Sequence, residues 1–521
     1  MASTPSTNPA RSRKPKRPAH LAHGRWLGDL EPLSVAEKAL VAACAKGEFW
    51  WPEQWDGKTR PDAATLANTI RADLIRFLLL GGDANHPVHE LGVMVGGAWI
   101  SDTLNVPRAR CPVQLDLRHC HLVGTPILMA ATLPELSLSG CALSGLRADG
   151  LIVTGDVNFR DGFSVSGELR LVGAEIGGDL ACDGGSFTNT GGCALSASGL
   201  KVRGMVYLRE GFIASGQVRL VGAEIGGDLV CSGGSFVNVG NDALSADGLK
   251  VKGSLFLRNA TIKGAILLVA ARIGNLVDDE RCWEAGGHSL DGLHYDRIIG
   301  RTDAASRVAW LKMQHPDELT SDFAPQPWEQ LIKVLREMGH SNDASKVAIA
   351  KQIQMRKANL IQGRVRGVMH WLYVTFADYG SRFGSIRTIY LMFFMYLFCG
   401  ACFEIGREWG YFGPTNPLIY ASAVFEKCGV AGEDKPFWTS AGCSLPPEYT
   451  TMSSLAYSLD LLLPLVNLQQ DVDWAPIVIN GEGEHLWFGY FLRALLWFEI
   501  LFGWLGSLIL VAVLGRLVDK D

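Results

Sequence analysis

Through the middle of the chain, apolar residues alternate with variable ones over very short runs, and glycine interrupts them at close intervals. Gly204-Met205-Val206-Tyr207-Leu208-Arg209, Gly216-Gln217-Val218-Arg219-Leu220 and Gly227-Asp228-Leu229-Val230-Cys231 all have this form. Period two with frequent glycine predicts brief strands between tight turns, since helices do not survive that glycine density. The text also repeats: LVGAEIGGDL occupies 171–180 and again 220–229, an offset of 49 (220 − 171). Val157, Val206 and Leu255 follow the same offset, as do Cys182 with Cys231 and Phe187 with Phe236. Self-similarity at a fixed period marks a stacked-repeat architecture. The prediction is a β-solenoid over residues 91–300, a right-handed, pentapeptide-like β-helix in which 49 residues make about two coils. That gives roughly eight to ten coils at about 4.8 Å each. Val206, Leu208 and Cys231 face inward, and Cys182 and Cys231 are small core residues rather than redox centres.

Either side of the solenoid the period lengthens to that of helices. Residues 26–90 are expected to form a helical cap, with helices at Ser34–Cys44 and Asp62–Leu80. In the second, Leu66, Ile70, Leu74 and Phe77 share one face. Residues 301–370 read as a helical hairpin and a juxtamembrane helix. Leu331, Leu335 and Met338 give one apolar face, Gly339 ends that helix, and Ser341 or Asn342 caps the next. A basic stretch follows (Lys351, Arg356, Lys357, Arg364, Arg366), leading to the interface aromatics Trp371 and Tyr373. Residues 371–521 then form a membrane domain, with spans at about 387–404 and 487–515. A segment at about 453–466, holding Asp460 and Pro464, is too short to cross and is expected to be re-entrant or interfacial.

Composition narrows the choices. The chain has 521 residues, 48% of them hydrophobic, 59 glycines and a net charge of −5. This excludes wholesale disorder and gives no sign of a nucleic-acid binder. Residues 1–25 are a basic, disordered tail without the apolar region of a secretory signal. It is either simply solvated or in contact with anionic lipid. The twelve cysteines lack zinc-module spacing. Cys282, His288 and His294 come nearest, but their gaps match no common zinc pattern, so no metal, cofactor or catalytic site is expected.

Charge sets the expected topology. Arg364, Arg366, Arg382 and Arg387 precede the first span, which puts the N-terminus and solenoid in the cytoplasm and the chain in a bacterial inner membrane as a multi-pass protein. The 405–452 loop is then extracytoplasmic, where a disulfide between Cys428 and Cys443 can persist. Asp460, Arg493 and Glu499 are the polar residues costliest in lipid and the functional candidates of that region. Snorkelling by Arg493 and a helix contact for Glu499 are the structural alternatives. On the solenoid, Arg160, Arg209 and Arg258 recur at the repeat offset, as do Glu175 with Glu224 and Asp179 with Asp228. Such stripes either discourage sheet-to-sheet aggregation or, for the arginines, dock an anionic partner.

Four stretches carry a family resemblance: VRLVGAEIGGDLVCSGG (218–234), ALSADGLKVKGSLFLR (243–258), PQPWEQLIKVLREMGH (325–340) and AYSLDLLLPLVNLQQDVDWAP (456–476). They resemble a bacterial family, frequent in actinobacteria, that joins pentapeptide-like β-helical repeats to C-terminal membrane helices. Its members often carry the label membrane-associated oxidoreductase. The resemblance therefore implies the solenoid-plus-membrane architecture and raises a redox activity. The residues themselves offer no Gly-x-Gly-x-x-Gly between strand and helix, and Cys399-Gly400-Ala401-Cys402 lies inside a hydrophobic span, where small residues pack helices. The leading expectation is a membrane-held scaffold that meets lipid and either a protein partner or further copies of itself. An oxidoreductase, and a pore or sensor built on the two spans, are the alternatives.

Overall fold

The computed structural model describes residues 24–358, 382–443 and 445–518. Contacts divide the chain into two units, Met1–Leu360 and Ile361–Asp521. The basic tail up to residue 23, and the stretch 359–381 with Arg364, Arg366, Trp371 and Tyr373, fall outside the described residues.

The first unit is a parallel β-solenoid of about nine turns. One coil contains four strands of two residues each: Ile152–Val153, Val157–Asn158, Ser164–Val165 and Leu169–Arg170. Each pairs in parallel with its counterpart one coil on, for example Val157 with Leu180 and Ser164 with Ser186. The strands are so short because each corner follows within a few residues. Inward positions stack into columns, one of them Val157, Leu180, Val206, Leu229, Leu255 and Leu276, all buried. At one corner the buried rings of Phe159, Phe163, Phe187, Phe212 and Phe236 form a ladder, with successive centroids 5.1, 5.4, 5.1 and 5.4 Å apart. Cys182 and Cys231 are fully buried, and burial pushes the Cys231 thiol up to about 12.

The pairing register explains the period of 49. Ser164 pairs with Ser186, 22 residues on, but Ser186 pairs with Ile213, 27 residues on. Alternate coils carry an extra loop. The ladder slips between Thr188 and Cys193 and again between Val237 and Asp242. Each loop is closed by an asparagine, Asn189 Nδ2 donating to the Cys193 carbonyl and Asn238 Nδ2 to that of Asp242, both at 2.8 Å. A short and a long coil together make the repeat. Another corner needs left-handed backbone in every coil: Gly173 and Gly222 stand there at φ +62° and +63°, where a side chain would be strained.

The solenoid begins earlier than expected. Thr69–Arg71 is already a rung, paired with Trp99–Ser101. The expected helix from Asp62 is therefore only α2 (Ala72–Leu79), and Leu66, assigned to its buried face, is 91% exposed. β-branched Thr69 and Ile70 suit a strand, and a partner ladder outweighs the helical period. The first helix, α1 (Val35–Lys46), starts at a capping box between Ser34 and Glu37. Glu37 is 3% exposed and takes two bonds from the Arg71 guanidinium, at 2.7 and 2.8 Å. Burial would raise its carboxyl, but the Arg71 bonds outweigh that and hold it low.

The last strand, His294–Ile299, is followed by a helix that the sequence reading missed, α3 (Ala304–Leu311). The hairpin is α4 (Gln326–Glu337) and α5 (Ser341–Lys357), turned by Gly339 at φ +85°. The cap of α5 is His340, which makes no side-chain capping bond, rather than Ser341 or Asn342. Helix α4 lies on the last rung, where Gln330 Nε2 donates to the Tyr295 carbonyl at 2.7 Å. Helices thus cover the end of the ladder, as stacked repeats require.

The second unit holds two long helices, α6 (Arg382–Glu408) and α8 (Trp487–Val518), and between them the nine-residue α7 (Ser454–Leu462). Ile389–Glu408 and Trp487–Leu508 are long and apolar enough to cross a membrane. Helix α7 is far short of the ~20 residues a span needs. The three pack closely through glycine. A Cβ on Gly400 would lie 2.8 Å from Leu455, and one on Gly503 would lie 2.1 Å from the Leu462 carbonyl oxygen.

Candidate functional site

Stacking defines what the solenoid presents. One outward column reads Ile152, Glu175, Lys201, Glu224, Lys250, Arg272. Lys201 bonds Glu175 at 2.9 Å and Lys250 bonds Glu224 at 2.8 Å. The lysine holds each glutamate's partner charge one coil away, and the Lys250 bond keeps Glu224 below the usual carboxylate range. Beside this column run Thr154, Gly177, Arg203, Gly226 and Lys252. The two columns line a groove of about 830 Å³. Its charged lining is Lys201, Arg203, Lys250 and Lys252 against Glu175 and Glu224, so it is net basic on a chain that is net acidic. Among the described residues Arg203 and Lys252 have no ion-pair partner.

The arginine stripe has less charge to spare. Arg209 Nε meets Asp183 of the preceding coil at 3.0 Å, and its guanidinium lies 4.7 Å from the Tyr207 ring centre. Arg160 pairs with Asp161 at 3.4 Å, and Arg258 donates to the Ile299 carbonyl at 3.2 Å. Asp179 and Asp228 are not a free stripe either. Each accepts a backbone N–H from the next coil, of Met205 and Ser254, both at 2.7 Å. They satisfy amides where glycine corners leave the ladder open.

At the C-terminal end of the solenoid a cleft of about 840 Å³ lies over Trp283 and Trp310. Its floor contains a buried ion pair: Arg307 reaches both oxygens of Asp278, at 2.7 and 2.8 Å, and Asp278 also takes the Trp283 indole N–H at 2.9 Å. Cys282 and His288 are buried nearby and His294 is exposed; among the described residues no group of three His, Cys, Asp or Glu is arranged to hold a metal. His288 has a structural place instead. Its Nδ1 accepts the Ile266 amide at 3.0 Å and its Nε2 faces the Trp283 carbonyl at 2.8 Å, which fixes the neutral ring with the proton on Nε2. Burial lowers its pKa, against the smaller opposing effect of that carbonyl. The unfolded chain, with an ordinary value of about 6.5, then binds protons more readily, so this contribution to stability is full above about pH 6.5 and is lost as pH falls. Thermal melts should drop below that pH by up to about 1.4 kcal/mol per unit, and His288→Gln should flatten the dependence.

In the second unit the three polar candidates separate. Asp460 accepts three backbone N–H groups, from Leu468 at 2.7 Å, Gln470 at 2.8 Å and Asp471 at 3.2 Å, and so folds the turn after α7. Arg493 donates to the Pro476 carbonyl at 2.8 Å, fixing the strand Trp474–Pro476 against α8. Glu499 is fully buried where α6, α7 and α8 meet. Cys428 and Cys443 are joined by a disulfide, with Cα atoms 5.7 Å apart. Cys399 and Cys402 are free thiols, and Gly400 between them packs on Leu455, as expected for a helix contact.

Fold and site together define a class: a parallel β-solenoid joined to a unit with two helices able to cross a membrane. Searched against family models, curated proteins and solved structures, the chain matches none.

Proposed function

We propose that the chain is a non-enzymatic scaffold, anchored in a bacterial inner membrane by α6 and α8, whose solenoid stands in the cytoplasm and docks an acidic segment of a protein partner. The observation that carries this reading is the basic groove lined by Lys201, Arg203, Lys250 and Lys252, set on a rigid stacked surface. Arg203 and Lys252 recur at the repeat offset and so lie two coils apart, roughly 10 Å at about 4.8 Å per coil. A polyproline II segment advances about 3.1 Å per residue with three residues per turn, so acidic side chains three residues apart lie on one face and match that spacing. The arginine stripe is the weaker docking surface, because Arg160 and Arg209 are already ion-paired.

A photoreactive residue at Thr154, in the full chain in native membranes, should yield a discrete adduct. Arg203→Glu with Lys252→Glu should abolish it, and Arg160→Glu should not. Absence of any adduct, or equal loss in both variants, overturns the docking surface. For orientation, a cysteine placed at Val239, which is 74% exposed, should react with an impermeant maleimide only after the membrane is opened. Reaction in intact cells would place the solenoid outside.

A further inference from the structure

We infer that Glu499 is a proton-binding site within the membrane unit: its carboxyl is protonated at the junction of α6, α7 and α8, and its ionisation loosens α7 from the two long helices.

The Glu499 carboxyl is fully buried and few donors reach it. Ser458 on α7 is fully buried and its hydroxyl touches two groups, the Tyr396 carbonyl of α6 at 3.0 Å and Glu499 Oε1 of α8. A hydroxyl has one proton to give, and a carbonyl can only accept. The Ser458 hydroxyl faces both acceptors with its one proton, so it gives Glu499 at most one shared hydrogen bond, too little to hold a buried carboxylate. The other oxygen, Oε2, is buried without a hydrogen-bond partner. A neutral carboxyl tolerates that at modest cost, whereas an unpaired carboxylate there would be far costlier.

No counter-charge is at hand. Among the described residues no basic side chain lies within ion-pair distance of Glu499. From α6 the titratable groups facing the junction are the thiols Cys399 and Cys402. From α7 they are Tyr457 and Asp460, and from the turn beyond it Asp471; both oxygens of Asp460 are occupied by backbone amides. On α8 itself the charged group is Arg493, whose bond goes to Pro476. Gly400 and Gly503 let α7 press against α6 and α8 so closely that no room remains for added solvation. Releasing the proton therefore requires the junction to open, and the contacts that opening breaks are those by which Ser458 ties α7 to α6 and α8. Proton binding and release at one carboxyl balances without any further reactant.

The test uses the full chain in vesicles of phosphatidylcholine and phosphatidylglycerol. Infrared difference spectra should show a carboxylic C=O stretch at neutral pH that Glu499→Gln removes and that alkaline pH erases. Ser458→Ala should keep the band but shift it, since its hydrogen bond is gone; a merely structural role for Ser458 would leave its position unchanged. Alkylation of Cys399 by N-ethylmaleimide reads the opening. In Glu499→Gln, which retains a neutral hydrogen-bonding side chain, the rate should follow thiol ionisation alone, while in the wild type it should rise more steeply. Absence of a Glu499-dependent band at neutral pH, or identical alkylation profiles in the two proteins, overturns the inference.

Discussion

Phe187→Ala should destabilise the solenoid by about 3–5 kcal/mol, the range for emptying a large aromatic site in a close-packed core. The ring is fully buried, with Phe163 5.4 Å away on one side and Phe212 5.1 Å away on the other. Deleting it breaks the ladder in the middle rather than at an end. Stacked repeats contact only their neighbours, so the damage should concentrate at the interfaces of that coil. Hydrogen exchange should show raised rates for the amides bonded across it, such as that of Ser186 to the Phe163 carbonyl. Phe187→Leu, which keeps most of the apolar volume, should cost markedly less. If the alanine variant melted and exchanged like the wild type, the ladder would not be the core of this unit.

Arg307→Ala should be comparably severe, about 3–5 kcal/mol, for a different reason: it leaves a buried carboxylate without its charge partner. The side chains of Arg307 and Asp278 are 5% and 2% exposed, and the guanidinium satisfies both carboxylate oxygens. The cost is the stranded charge rather than the net worth of the pair. Asp278→Asn in the same background should therefore recover part of the loss. Thermal melts of the two variants check this, and equal stability in single and double variants would contradict it.

The sequence showed the architecture more clearly than the surface. Near-verbatim text 49 residues apart revealed the stacking, and the buried identity of Cys182 and Cys231 followed from it. The period alone could not show that it comprises one short and one long coil. For that reason the repeat offset aligns Glu175 with Glu224, two coils away, and does not show its real neighbour Lys201. The groove depends on that neighbour relation, and so does the offset of Arg209 by Asp183. Leu66 misled because a helical period ran by chance into a true helix at Ala72, while the strand signal at Thr69–Arg71 is only three residues long. Asp460 looked costly because a carboxylate in apolar text suggests buried charge. Its three backbone donors come from the turn beyond Pro464, and sequence spacing does not predict such a turn. Asp278 and Arg307 stand in unrepeated text, 29 residues apart, with nothing to link them before folding.

The central claim is that a solenoid is held at a membrane by α6 and α8. Alkaline carbonate extraction of membranes carrying the full chain tests it most directly. The protein should remain in the membrane pellet and come into solution only with detergent, whereas release into the carbonate supernatant would mean that the two apolar helices are the packed core of a soluble unit and not an anchor.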